Sequence, residues 1–336
     1  MELRANSPDL SKWTLRPSSY GALDVFMKHL NDPAGIISKE LFERAMKAVG
    51  RDVKVPVWDE ETVTIGSTRT VTIADDENDS ALYTVSFTTY AWGFTITPAQ
   101  HNNNHFSMQE DFNRKFRKYL MQFLADLDTA CLTALDTNKS QVFADLLGYT
   151  NTANVISATL AQRNDVLGAL TPMMQANDFF GAYDLVGNMG VSHLISQLAE
   201  HSTFNDQDRT IQFNDKSLSY TNRLANIAAK SATGYVINRG SLGMLFRQEA
   251  DAINNTKLQD GTEWKIDTLP GVGIPISTYY YEGVSDVSSF GAHTTHLTRA
   301  AKQHYGFSVD VANVVAHNSD LSTYASPITK FNIANA

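Results

Sequence analysis

The chain has 336 residues, enough for two packed cores at roughly 100 to 200 residues per domain and too few for an elaborate multidomain machine. With 27 Lys+Arg against 36 Asp+Glu the net charge is −9; charged residues make up 19% and hydrophobic ones 43%. That balance excludes a highly charged disordered chain and argues against a dedicated nucleic-acid-binding surface. Cys131 stands alone, which excludes intramolecular disulfides and multi-cysteine zinc sites and fits a reducing compartment.

The opening MELRANSPDLSKWTLRPSSYG has no apolar run of signal-peptide length, and no later stretch reaches the ~20 apolar residues of a membrane span, so a soluble intracellular product is expected. Residues 1–36 scatter Pro8, Pro17 and Pro33 among Ser and Asn without a sustained period, and read as an extended arm. Ser38 then offers an N-cap, Leu41, Ala45 and Ala48 recur at helical spacing, and Gly50 offers a C-cap, so a short helix is expected.

From Val53 the period becomes two: Val53, Val55 and Val57, then Val63 and Ile65, then Val71 and Ile73. The run Asp75-Asp76-Glu77-Asn78-Asp79 reads as a turn, and the chain returns through Val85 and Phe87 and then Tyr90, Trp92, Phe94 and Ile96. This β-excursion is acidic. Residues 52–100 hold Lys54 and Arg69 against Asp52, Asp59, Glu60, Glu61, Asp75, Asp76, Glu77 and Asp79.

At Ser107 the period changes to 3.6, and Ser107-Met108-Gln109-Glu110 is a capping box. Met108, Phe112, Phe116, Leu120, Phe123, Leu127, Cys131 and Leu135 then recur every three or four residues until Asn138, which predicts a rod of roughly 45 Å. Beyond Ser140 two strand-then-helix units are expected. One is Tyr183–Gly187 followed by Val191, Leu194, Ile195 and Leu198; the other is Tyr235–Ile237 followed by a helix through Leu242, Leu245, Phe246, Ala250 and Ile253. Leu269-Pro270-Gly271-Val272-Gly273 marks a turn before a strand from Ile274 to Tyr281. The tail alternates again through Phe307, Val309 and Val311 and through Ile328, Phe331 and Ile333.

No catalytic motif survives inspection. Gly271-Val272-Gly273 lacks the third glycine of a dinucleotide fingerprint and precedes a strand; Gly190-Val191-Ser192-His193-Leu194 lacks the closing glycine of a nucleophile elbow. His101 and His105, and His293, His296 and His304, sit in polar stretches where surface or interface histidines outweigh metal ligands. Cys131, mid-helix on the apolar face, reads as a small hydrophobe. Neither a catalytic set, a cofactor nor a metal is expected. Two features remain. Arg114, Lys115, Arg117 and Lys118 form a basic run whose bland reading is a solvated face, whose sharper reading is a complement to the acidic excursion on another subunit, and whose third reading is DNA contact. Tyr90, Trp92 and Phe94 are aromatic on a strand that must bury them on the long helix of the same chain or on another copy.

The order of arm, short helix, β-excursion, long capped helix, α/β region and strand-rich return resembles the major capsid protein of tailed bacteriophages, the Hong Kong ninety-seven type fold. The resemblance rests on Tyr90-Ala91-Trp92-Gly93-Phe94-Thr95-Ile96-Thr97-Pro98 running into the helix, on Leu269 to Pro275, and on Val314 to Asp320 with Ser326-Pro327-Ile328-Thr329-Lys330-Phe331. It implies an α+β phage capsid fold: residues 1–51 as N-terminal arm and short helix, 52–100 as a β-hairpin E-loop, 101–148 as the spine helix of a peripheral domain, 149–290 as an axial α/β domain and 291–336 as the returning strands. It implies a non-enzymatic shell protein that assembles into hexamers and pentamers of an icosahedral particle around double-stranded DNA, made in the host cytoplasm and resident in the virion. A separate scaffolding protein, a portal and decoration proteins are the implied partners, since about 50 residues ahead of the excursion leave no room for a fused scaffold. The expected subunit interface is Glu60, Glu61, Asp75, Asp76, Glu77, Tyr90, Trp92, Phe94, Arg114, Lys115, Arg117 and Lys118. An encapsulin compartment, an α/β enzyme and a tail or adhesin protein are the alternatives.

Overall fold

The computed structural model describes residues 20–32, 35–48, 52–58, 80–101, 107–143, 145–200, 212–213, 216–225, 230–257, 261–269, 273–286, 299–316 and 325–334. Its first helix, α1 (Gly21–Leu30), replaces the extended arm expected of residues 1–36 over that stretch. Ala22, Val25, Phe26 and His29 are buried at i, i+3, i+4 and i+7 while Asp24 and Lys28 lie together on the other side, so the helical spacing is present, but it spans only ten residues and has no capping side chain to announce its start. Tyr20, at its N-cap, supplies no side-chain cap; the carboxylate of Asp128 accepts hydrogen bonds from the N–H groups of Ala22 and Leu23 at 2.9 and 3.0 Å instead. An anion at a helix N-terminus satisfies orphan donors and complements the helix dipole.

Helix α2 (Lys39–Met46) follows as expected, with the Ser38 hydroxyl accepting from the N–H of Leu41. β1 (Asp52–Trp58) and β2 (Ser80–Ser86) form a two-stranded antiparallel ribbon pairing Val53 with Val85 and Val55 with Tyr83. Val63, Ile65, Val71 and Ile73 and the acidic turn of Asp75 to Asp79 lie outside the described residues. The chain departs from the expected hairpin at β3 (Thr88–Ile96), which leaves the ribbon and pairs with a strand near the far end of the chain. After a 3₁₀ turn at Pro98–His101 comes α3 (Met108–Thr137), whose capping box between Ser107 and Glu110 is formed. Leu120, Phe123, Leu127, Cys131 and Leu135 are buried along one stripe, as the spacing predicts.

The remainder builds two sheets. Short strands β4 (Asp145–Leu146), β5 (Tyr149–Thr152) and β6 (Val155–Ala158) precede helix α4 (Val166–Gln175), then β7 (Tyr183–Gly187) and α5 (Met189–Glu200). β8 (Gln212–Phe213), β9 (Lys216–Tyr220), β10 (Lys230–Asn238) and the last strand β15 (Ile328–Ala334) complete an eight-stranded mixed sheet in the order β4-β5-β6-β15-β10-β7-β9-β8. Between them run β11 (Leu242–Arg247), helix α6 (Ala250–Ile253), β12 (Glu263–Thr268), β13 (Pro275–Asp286) and the long β14 (Arg299–Val315), a second sheet in the order β11-β14-β13-β12 that β3 joins through β14. The stretch from Leu242 to Phe246, expected as a helix, is therefore a strand. Leu242, Met244 and Phe246 enter the main core while Leu245 packs on the other side, and a strand covered on both faces loses the alternation that would identify it.

Three apolar clusters result. The main core joins α1, β3, α3 and both sheets; a second lies between the eight-stranded sheet and α4 and α5; a small third gathers Ala45, Val53, Val85, Phe87, Leu245 and Ala312 at the root of the ribbon. Asp128→Ala removes the acceptor of two buried N–H groups and should lower the stability of the unassembled chain by about 2 to 4 kcal/mol in urea unfolding. A loss under about 0.5 kcal/mol, the size of an ordinary surface change, would show that α1 needs no cap.

Candidate functional site

The aromatic strand β3 turns its alternate side chains onto α3 of its own chain. Trp92 stacks on Phe123 at 4.5 Å and lies 5.6 Å from Phe307, Tyr90 meets Phe123 edge-on at 5.8 Å, and Phe94 contacts Phe112 at 5.3 Å. Of the two burial sites expected for Tyr90, Trp92 and Phe94, the structure supplies the intrachain one: pairing with β14 places the strand over the helix. Burial raises the Tyr90 hydroxyl pKa, with Cys131 and Asp126 adding to it.

The basic run divides by helical geometry. Arg114, Lys115 and Lys118 share one face at i, i+3 and i+4 spacing, while Arg117 is exposed and points elsewhere. Asp111 takes Arg114 at 2.8 Å and Lys115 at 2.7 Å, and Lys115 also donates to the carbonyl of Thr95 at 2.9 Å. Burial would raise the Asp111 carboxyl pKa, but those two cations outweigh it and hold it low. Glu60, Glu61, Asp75, Asp76 and Glu77 lie outside the described residues.

Arg114, Lys115, Lys118 and Tyr119 form one wall of an open groove of about 620 Å³, with Gly93, Phe94 and Thr95 of β3, Tyr279 and Tyr281 of β13, and His304 and Tyr305 of β14. His304 stacks face to face on Tyr281 at 4.3 Å; burial, then the charge of Lys302, keeps its pKa below the usual histidine value. Gly93 and Gly306 pair across the strands, and the Tyr279 ring occupies the space a side chain at Gly306 would need, a Cβ there falling 1.7 Å from the ring. These tyrosines escape sequence reading because alternate aromatic residues on a strand are an ordinary core signature.

At the ribbon, Val53 and Val85 are buried at the root, whereas Leu82 and Tyr83 are 64% and 42% exposed. An isolated two-stranded ribbon is marginal in water, and Leu82 and Tyr83 stay exposed although they stand across from Pro56 and Val55. Of the histidines, His101 lies 3.7 Å from Asp111, and His105, His293 and His296 fall outside the described residues. Among the described residues no group of three metal-ligating side chains converges, and no helix is long and apolar enough to cross a membrane.

Sequence reading missed the buried polar cluster at the other end of α1. Asp184, fully buried on β7, accepts from Lys28 at 2.6 Å, from His29 Nε2 at 2.8 Å, from Arg239 at 3.3 Å and from Ser217, while His29 Nδ1 accepts the N–H of Leu242 at 3.3 Å. Burial would raise the Asp184 pKa, but hydrogen bonds from His29, Arg239, Lys28 and Ser217 outweigh it and hold the carboxyl far below the usual range. Asp136 at the end of α3 behaves likewise: against the effect of burial, Lys330, Lys139 and Tyr235 bring it to about 2.

No protein-family model and no curated protein matches this sequence. Solved structures do. A structure from Mycobacterium phage Che8 aligns with a TM-score of 0.50 and 10% identity, covering 89% of each chain. A chain from the asymmetric unit of the bacteriophage PhiM1 mature capsid aligns with a TM-score of 0.50 and 11% identity, covering 87% of this chain and 84% of that one. At such identities the fold is what is shared, and this chain has the fold found in that phage capsid.

Asp184 carries a pH prediction. Its folded pKa is depressed, so its contribution is complete above the unfolded value near 3.9 and is lost as pH falls toward the folded one. Chemical unfolding of the unassembled chain should show stability falling as pH drops from about 5 toward 2. Asp184→Asn should cost about 3 kcal/mol at pH 7 and flatten that slope. An unchanged slope in the variant would assign the acid sensitivity to other carboxylates.

Proposed function

We propose that this chain is the major capsid protein of a tailed bacteriophage, a structural subunit without a catalytic role whose copies form the hexamers and pentamers of an icosahedral shell around double-stranded DNA. The observation that carries the reading is the likeness, over almost the whole chain, to a subunit of an assembled phage capsid. The ribbon agrees with it, since Leu82 and Tyr83 face outward and gain stability by burial on another copy at roughly 25 cal/mol per Å² before ordering costs. In this reading β1 and β2 are the E-loop, α3 the spine, the sheet of β11 to β14 with β3 the peripheral domain, and the eight-stranded sheet with α4 and α5 the axial domain. The acidic residues Glu60, Glu61, Asp75, Asp76 and Glu77 meet the basic run of a neighbouring subunit. Assembly takes place in the host cytoplasm with a separate scaffolding protein, and a portal and decoration proteins complete the virion. Helix α1 removes the extended-arm distinction between a phage shell and an encapsulin compartment over residues 21–30, and the likeness to phage structures supports the former.

Negative-stain microscopy of the purified protein across salt conditions should show closed shells or capsomers. A compact monomer under every condition, scaffold included, contradicts the proposal. Leu82→Asp with Tyr83→Asp should leave the body folded by circular dichroism yet raise the concentration needed for assembly about tenfold or more.

A further inference from the structure

The sheet that β3 joins has two faces, and α3 closes one of them: Phe94, Tyr305 and Phe307 pack there on Phe112 and Phe116. Directly opposite residues of an antiparallel sheet share a face, and alternate residues change it. The registers therefore set Trp264, Tyr279, Gly306 and Gly93 in one row of the other face, and Tyr281, His304 and Thr95 in the next. Helix α6 covers the end of that face near Ser277, whose hydroxyl accepts the N–H of Glu249. Trp264, Tyr279, Tyr281 and His304 are only half-buried. We propose that in the unassembled chain this ring platform binds single-stranded nucleic acid, the bases stacking on the rings and the phosphates meeting the cations at its edges. The inference goes beyond the shell reading and does not rest on it.

The rings come in two pairs. Tyr281 and His304 lie face to face at 4.3 Å, and Trp264 meets Tyr279 at 4.9 Å. Small neighbours keep them accessible: Gly93 is exposed, Gly306 gives its side-chain space to the Tyr279 ring, and Gly283 stands two residues beyond Tyr281 on the same face. Aromatic rings on an open sheet face are a platform for unpaired bases, since every base has a flat apolar surface to stack. Burial and the charge of Lys302 hold His304 below the usual histidine pKa, so at neutral pH it is an uncharged ring.

Charge sits at the edges. Arg114, Lys115 and Lys118 line the groove along β3 together with Tyr279, Tyr281 and His304, and no carboxylate lines it. Asp111 takes Arg114 and Lys115, which leaves Lys118 as the groove cation without an ion pair among the described residues. At the end of the platform Lys302 stands opposite Gly283, beside His304. So few cations on a chain of charge −9 make a poor duplex site, where phosphate contacts supply most of the affinity. A duplex, an acidic peptide or an acidic polysaccharide would meet the cations and leave the stacking faces unused. A strand with free bases uses both.

The test is fluorescence anisotropy of the full unassembled chain with a labelled oligothymidylate of about twelve nucleotides, beside an abasic strand of the same length, a duplex and a sulfated polysaccharide. The single strand should bind about tenfold or more tightly than the other three, with a log–log salt slope of about −2. Tyr281→Leu, which keeps an apolar side chain and removes the ring, should weaken binding about tenfold, and Lys118→Glu about fivefold. Arg117→Glu, on the same helix but outside the groove, should change it little. Circular dichroism checks that each variant folds. Photocrosslinking of the unaltered chain to a 4-thiothymidine strand decides the matter without any variant, and should map to the peptides that hold Tyr279, Tyr281 or His304. No binding, equal binding of the abasic strand, the duplex or the polysaccharide, a folded Tyr281→Leu chain that binds unchanged, or crosslinks confined to other peptides would overturn the proposal.

Discussion

Two buried carboxylates hold the ends of α1, and the two sheets meet because of it. Asp128 projects from the middle of α3 onto the N-terminal N–H groups of the helix, while Asp184 projects from β7 onto Lys28 and His29 in its last turn. A buried carboxylate is costly unless several donors surround it, and α1 supplies two of those donors to each, beside Thr221 and Arg223 at Asp128 and Ser217 and Arg239 at Asp184. Asp128 belongs to the helix that lies under the five-stranded sheet; Asp184 belongs to the eight-stranded one. The apolar residues of α1 fill the space between, and His29 extends the link to β11 through the N–H of Leu242.

Once the body is closed in this way, the division of labour among the remaining surfaces follows. The rings of Tyr90, Trp92 and Phe94 pack on Phe112 and Phe123 of α3 and on Phe307 of β14, so the strand that carries them belongs with the body and not with the projecting ribbon. The ribbon has only its root anchored, through Val53, Val85 and Phe87. Among the described residues, the exposed surfaces include Leu82 and Tyr83, on opposite faces of β2 beyond its root, and a cationic, tyrosine-lined groove.

Long periodic elements were legible in the sequence. The capping box at Ser107, the stripe from Phe112 to Leu135 and the strands β7 and β13 follow from spacing and caps alone, because each has one buried face and one wet one or is bounded by strong turn signals. Short elements without such boundaries were not. β11 carries apolar residues on both faces and so presents no period to read, while α1 has a helical stripe too short, and too weakly capped at Tyr20, to stand out from the Pro- and Ser-rich stretch around it. The partner of β3 lies more than 200 residues away, across a register that local patterning does not encode. The polar clusters of Asp128 and Asp184 were invisible for a related reason: lone charged residues in apolar runs acquire meaning only from partners that the fold brings together. At the groove, the basic half was readable and the tyrosine half was not, because its members sit on two strands that read as ordinary sheet.

The central claim is that the body is complete within one chain while the ribbon is completed by other copies. Hydrogen exchange of the unassembled chain and of assembled particles measures this directly. The account predicts that the amides of Ala22 and Leu23 and those of α3 are protected equally in both states, and that the amides of β1 and β2 gain protection on assembly. Ribbon amides already as protected in the free chain as in the particle, or α1 amides protected only after assembly, would contradict it.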